Sequence, residues 1–114
     1  MSRTNPGFMT GVPELLILRL LNEREMYGYE LVQAIETATG EAIKVGEGVV
    51  YPILHALEAQ GCLAARRKAV NGRTRVYYTA TAAGKKRLGA LITEWQRITD
   101  AVSNLVAGAV HGHA

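Results

Sequence analysis

Apolar positions along the chain change their spacing three times, and each spacing names an element. Leu15-Leu16-Ile17-Leu18-Arg19-Leu20-Leu21 nearly encircles a helix axis, so a first helix from about Pro13 to Asn22 is expected to be buried on more than one side. Proline suits a first helical turn, and Glu14 complements the helix dipole there. A short turn, Arg24-Glu25-Met26-Tyr27, leads to Gly28. Leu31, Val32, Ile35 and Ala38 then recur at helical intervals, with Gly40 placed as a C-terminal cap. After a connection through Ile43 and Val45, Val50, Ile53, Leu54 and Leu57 form one face of a third helix, from near Gly48 to Gly61. Pro52 belongs near its start, since a proline deep inside a helix costs about 3 kcal/mol.

The period then drops to two. Cys62–Lys68 and Arg73–Ala80 read as strands on either side of Asn71-Gly72, a strong signal for a tight hairpin turn. Arg73, Arg75, Tyr77 and Thr79 share one face of the second strand; Thr74, Val76 and Tyr78 share the other. Thr81 is placed as the N-cap of a last helix running to about Val106. Within it Leu88, Trp95 and Val102 recur every seven residues, as do Leu91, Ile98 and Leu105. That is the double stripe of a helix–helix seam. A helix of ~26 residues spans ~39 Å, more than so small a domain covers alone, so the six seam residues are expected at a homodimer interface.

Three helices, a hairpin and a long helix make a mainly α (α+β) chain with the order of a winged helix-turn-helix followed by a dimerisation helix. Residues 1–11, with Pro6-Gly7 and Gly11, read as a mobile lead-in. Residues 12–80 form the winged domain, 81–106 the dimerisation helix, and 107–114 a frayed tail. In such a module the chain's third helix enters the major groove and the hairpin is the wing.

Charge sharpens this reading. The net +3 of the 114 residues is uninformative as a sum. Residues 59–93, however, hold eight basic and no acidic residues (+8), while the remainder holds five basic against ten acidic (−5). Arg66, Arg67, Lys68, Arg73 and Arg75 fall on the hairpin, and Lys85, Lys86 and Arg87 open the last helix. A two-residue turn sets Lys68 opposite Arg75, with Arg66 and Arg73 on the diagonals. Like charges so placed repel, and a polyanion nearby relieves them. The five hairpin cations are therefore expected to meet the phosphates of double-stranded DNA.

On the third helix the outward positions are Gly48, Pro52, His55 and Ala59, flanked by Val49 and Tyr51. Gly48, Val49 and Pro52 permit close or apolar approach to a groove, and Tyr51 and His55 are the hydrogen-bonding candidates. Tyr51 reads equally as a half-buried aromatic, and His55 as a solvated side chain. No Arg, Asn or Gln sits at the centre of this face, so shape and phosphate contacts should outweigh base readout.

Three stretches closely resemble the PadR family of bacterial transcriptional regulators: Met26-Tyr27-Gly28-Tyr29-Glu30-Leu31, Gly48 to Gly61 (GVVYPILHALEAQG), and Arg75 to Gly84 (RVYYTATAAG). The resemblance runs in order over residues 12 to 105 and is to the short subfamily with a single C-terminal helix. It implies a homodimeric DNA-binding repressor, often released from its operator by a small aromatic effector. Trp95, at the middle of the seam, reads either as an interface anchor or as a wall for that effector. The chain departs from the family where Val49 stands in place of a common Ser or Thr, so a hydroxyl-to-phosphate bond is missing there. Val45-Gly46-Glu47-Gly48 likewise offers no Ser/Thr cap.

Other classes find less support. Cys62 and His55 lack a third orienting group, so no enzyme, catalytic residue or cofactor is expected. A metal-sensing winged-helix repressor would have only Cys62, His55 and His111-Gly112-His113 as ligands, and no metal is expected. A winged-helix protein–protein interaction module is the remaining alternative. The single cysteine and the absence of a signal-like opening point to the cytoplasm, and no apolar run is long enough for a membrane.

Overall fold

The computed structural model describes residues 7–111. Its order is α1 (Gly7–Glu23), β1 (Met26–Tyr27), α2 (Gly28–Ala38), α3 (Glu47–Ala59), β2 (Leu63–Val70), β3 (Arg73–Ala80) and α4 (Ala82–His111). The three strands form one antiparallel sheet in the order β1-β3-β2. This is the winged helix with a long C-terminal helix that the residue pattern predicts, with the start of α1, the bounds of β2 and the end of α4 moved and one strand added.

α1 begins at Gly7, so Pro13 is its seventh residue and residues 7–11 are helical; the first six residues of the expected lead-in lie outside the described residues. Val12 is buried at 6 % exposure and faces Leu91, Trp95 and Ile98 of α4. Packing on α4 is what carries the helix across a proline that removes one of its hydrogen bonds. At the other end α4 continues to His111, past the expected stop at Val106, and residues 112–114 of the expected tail are not described. The added strand is β1. Met26 pairs with Tyr78 and Tyr27 with Tyr77, which ties the turn after α1 to the wing.

The core gathers Ile17, Leu18 and Leu21 of α1, Leu31 and Ile35 of α2, and Val50, Leu54 and Leu57 of α3. Met26, Cys62, Leu63 and Tyr78 close it from the sheet side, and Leu88 closes it from α4. Local signals hold the connections. Thr39 Oγ1 donates to the Ile35 carbonyl at 2.7 Å and accepts from the Ile43 amide at 3.1 Å, while Gly40 and Glu41 both take positive φ. Asn71 (φ 51°) and Gly72 (φ 75°) make the two-residue turn with Val70 opposite Arg73, the geometry of a type I′ hairpin.

α4 is anchored at its first turn. The Thr81 hydroxyl accepts from the Gly84 amide at 3.1 Å, capping the helix as expected, and donates to the Gly61 carbonyl at 2.6 Å. The Thr81 amide donates to the Cys62 carbonyl at 3.0 Å. That carbonyl lies so close to Gly84 that a Cβ there would approach its oxygen to 2.1 Å. Gly89, one and a half turns on, has open space around it. Two substitutions in one helix should therefore have opposite signs. Gly84→Ala forces the helix off the sheet and should cost about 1–3 kcal/mol in urea unfolding, whereas Gly89→Ala should stabilise by about 0.5–1 kcal/mol.

Candidate nucleic-acid interface

The outward face of α3 is free. Gly48, Val49, Pro52, His55 and Ala59 are all exposed, and Val49 is 43 % exposed. The helix starts at Glu47 with Gly46 as N-cap and no side-chain cap, in line with the missing Ser or Thr. Tyr51 is half-buried. Its ring lies on Gly28 at the head of α2, where a Cβ would stand 2.4 Å from the ring, and its centroid is 6.3 Å from that of His55. Burial and the nearby Glu47 carboxylate raise the Tyr51 phenol above its ordinary pKa, so it stays a neutral donor. Nothing in the local sequence marks Gly28 as a site residue. Its role is to leave room for Tyr51 while the Tyr27 amide is capped by the Glu30 carboxylate at 3.1 Å.

The wing carries its cations in the expected register, with Lys68 opposite Arg75 and Arg66 opposite Tyr77. The repulsion between them is offset in part within the chain. Glu25 accepts from Arg66 Nη2 at 2.7 Å and also from Lys68. The Lys68 ammonium lies 4.1 Å from the centroid of Tyr77, and the Arg75 guanidinium 4.5 Å from that of Tyr27. The two rings meet edge to face at 5.3 Å. Arg87, at the start of α4, is held by Glu14 of α1 at 2.6 Å. Among the described residues Arg67, Arg73, Lys85 and Lys86 form no ion pair. Arg67 and Arg73 lie on opposite faces of the hairpin, so each face keeps one unengaged cation.

The seam residues of α4 fall into three environments. Leu88 is 6 % exposed in the core of its own chain, and a side chain packed there has no surface to offer a partner. Leu91, Trp95 and Ile98 are half-buried and line, with Gly11, Val12, Leu15 and Glu94, an apolar groove of about 280 Å³ between α1 and α4. Val102 and Leu105 are 52 % and 74 % exposed, and every residue from Asp100 to Ala107 is exposed. No group of three or more His, Cys, Asp or Glu able to hold a metal occurs among the described residues, where Cys62 is buried and His55 faces outward. No described helix is long and apolar enough to cross a membrane.

The Glu25 carboxyl is held below the usual carboxylate range, by Lys68 first and Arg66 second. A carboxyl with a lowered folded-state pKa contributes stability that is fully present above its unfolded pKa and is lost as pH falls through the folded value. Thermal unfolding followed from pH 7 down to pH 3 should therefore show an acid limb that is shallower in Glu25→Gln than in the natural chain. Equal limbs would mean that the carboxylate does not hold the wing.

Residues 17–90 match the family described as Transcriptional regulator PadR-like family. A transcriptional regulator of Mycobacterium tuberculosis is 34 % identical over 101 residues, which cover 89 % of this chain and 88 % of that protein. A transcriptional regulator from Clostridium thermocellum superposes with a TM-score of 0.81 at 26 % identity, covering 91 % of this chain and 99 % of the other. A PadR family transcriptional regulator from Eggerthella lenta gives 0.74 at 30 % identity over 84 % and 82 %. With the winged fold, the exposed third helix and this match over most of its length, the chain belongs to the PadR-like family of transcriptional regulators.

Proposed function

We propose that the protein acts in the cytoplasm as a homodimeric repressor that grips double-stranded DNA with α3 in the major groove and the hairpin on the flanking backbone. The observation that carries this reading is the exposed α3 face of Gly48, Val49, Pro52, His55 and Ala59, in a chain whose hairpin holds five cations. Small and apolar side chains there allow the helix to lie close to base edges, with Tyr51 and His55 at hand to donate or accept. Arg67 and Arg73 supply the first phosphate contacts of the wing, because neither is committed to a carboxylate.

Dimerisation through α4 is supported by the exposed Val102 and Leu105 and by the length of the helix, 30 residues in a molecule that measures 63 Å by 28 and 27 Å. Two winged modules joined in this way read half-sites about one helical turn or a multiple apart. The α1–α4 groove is where an effector would act. Its lining is apolar except for Glu94, which is paired with Arg97, and Trp95 offers a flat wall to a small aromatic molecule.

Three measurements test the reading. Arg73→Ala should weaken binding to all sequences and reduce the slope of log affinity against log salt by about 0.9 per protomer. Tyr51→Ala or His55→Ala should shift preference among sites; a uniform loss would count against base reading. Titration with planar phenolic compounds should change the fluorescence of Trp95, the single tryptophan of the chain, and should lower DNA affinity in parallel.

A further inference from the structure

The five cations of the hairpin are not equivalent. Arg66 and Lys68, both on β2, donate to the two oxygens of one carboxylate, Glu25. Glu25 directly precedes β1, and β1 is hydrogen-bonded to β3, so the acceptor is carried on the main chain of the same sheet. Its side chain is only 25 % exposed, and the two donors come from residues 41 and 43 positions away. Lys68 stands in register with Arg75, and Glu25 with the rings of Tyr77 and Tyr27 is what makes that juxtaposition of like charges tolerable. Arg67 and Arg73 have no such acceptor among the described residues.

Arg66 and Lys68 keep further N–H donors, but both side chains are held to Glu25, and a phosphate that bonds them either draws them off that carboxylate or comes to lie beside it. In the first case an existing ion pair is lost, and in the second the two anions repel. We propose that Glu25 sets the grip of the wing, holding Arg66 and Lys68 in ion pairs so that fewer phosphates are taken up than the number of cations suggests. The inference rests on the reading of the wing as a DNA-binding surface. Its consequence is selective. Phosphate contacts carry the sequence-independent part of the affinity, and α3 carries the readout, so withholding two wing cations lowers non-specific binding more than specific binding. Glu25 is thus a specificity-determining residue that touches no DNA.

The test is a salt series of binding by the full chain to a duplex of random sequence. Glu25→Gln should bind more tightly and show a slope steeper by about 0.9 for each phosphate gained, about 1.8 per protomer if both cations engage. Arg66→Gln should leave the slope of the natural chain unchanged, yet remove about 0.9 from that of Glu25→Gln. Glu23→Gln makes the same change of charge two residues away, on a carboxylate paired with Arg19 of its own helix, and should not steepen the slope. Equal steepening by Glu23→Gln would reduce the effect to net charge and overturn the proposal. So would a loss of about 0.9 on Arg66→Gln in the natural chain. That last comparison decides the matter even if Glu25→Gln proves too unstable to assay. A natural chain whose binding to duplex shows no salt dependence would instead overturn the DNA reading itself; a steep slope indifferent to Glu25 overturns only the present proposal.

Discussion

The close approach of Gly84 to the carbonyl of Cys62 is the contact on which the rest of the molecule depends. It brings the first turn of α4 against the junction between α3 and β2, where Thr81 also bonds the Gly61 and Cys62 carbonyls. Three elements meet there: the end of α3, the base of the wing and the start of α4. Because each is held by main chain or by a short side chain, their relative directions are stiff. The direction of α4 relative to the α3 face is set at this junction together with the packing of α4 on α1, where Leu88 enters the core and Arg87 pairs with Glu14. In the proposed dimer that direction becomes the spacing of two DNA-reading helices, so a single missing Cβ bears on geometry tens of ångströms away.

A second constraint acts on the wing. An isolated hairpin with this many cations on its strands would be unfavourable, since like charges lie directly across the ladder. The fold answers by adding two residues, Met26 and Tyr27, as a third strand. They bring with them Glu25 and the Tyr27 ring, and these offset the charge of Arg66, Lys68 and Arg75. The wing is therefore both a structural part of the sheet and a basic surface. Exposed ion pairs contribute little to stability one by one. Here their weight is on how many cations remain for a partner.

Much of the fold was legible because its signals are local. Three helices and a hairpin follow from apolar spacing, Asn71-Gly72 from its tolerance of positive φ, and the last helix from Thr81 and a seven-residue repeat. The heptad pattern shows which face of the last helix is apolar and not what covers it. Leu88 is covered by its own chain, while Val102 and Leu105, on the same helix, are not. β1 left no trace, as two residues are too few to show alternation. Gly28 and Gly84 lie inside stretches that carry the family resemblance, but nothing local says that one leaves room for the Tyr51 ring and the other for a carbonyl.

Taken alone, then, the residue order determined the elements, the hairpin turn, the outward face of α3 and the concentration of positive charge on the wing. These depend on dihedral preference and periodicity, which act over a few residues. Only the tertiary structure decided which cations are committed and which stand free, which seam residues belong to the core, and how far helical geometry extends across Pro13. Each of those outcomes rests on a contact between residues far apart in the chain, and the strength of a charge or an apolar side chain depends on what the fold sets beside it.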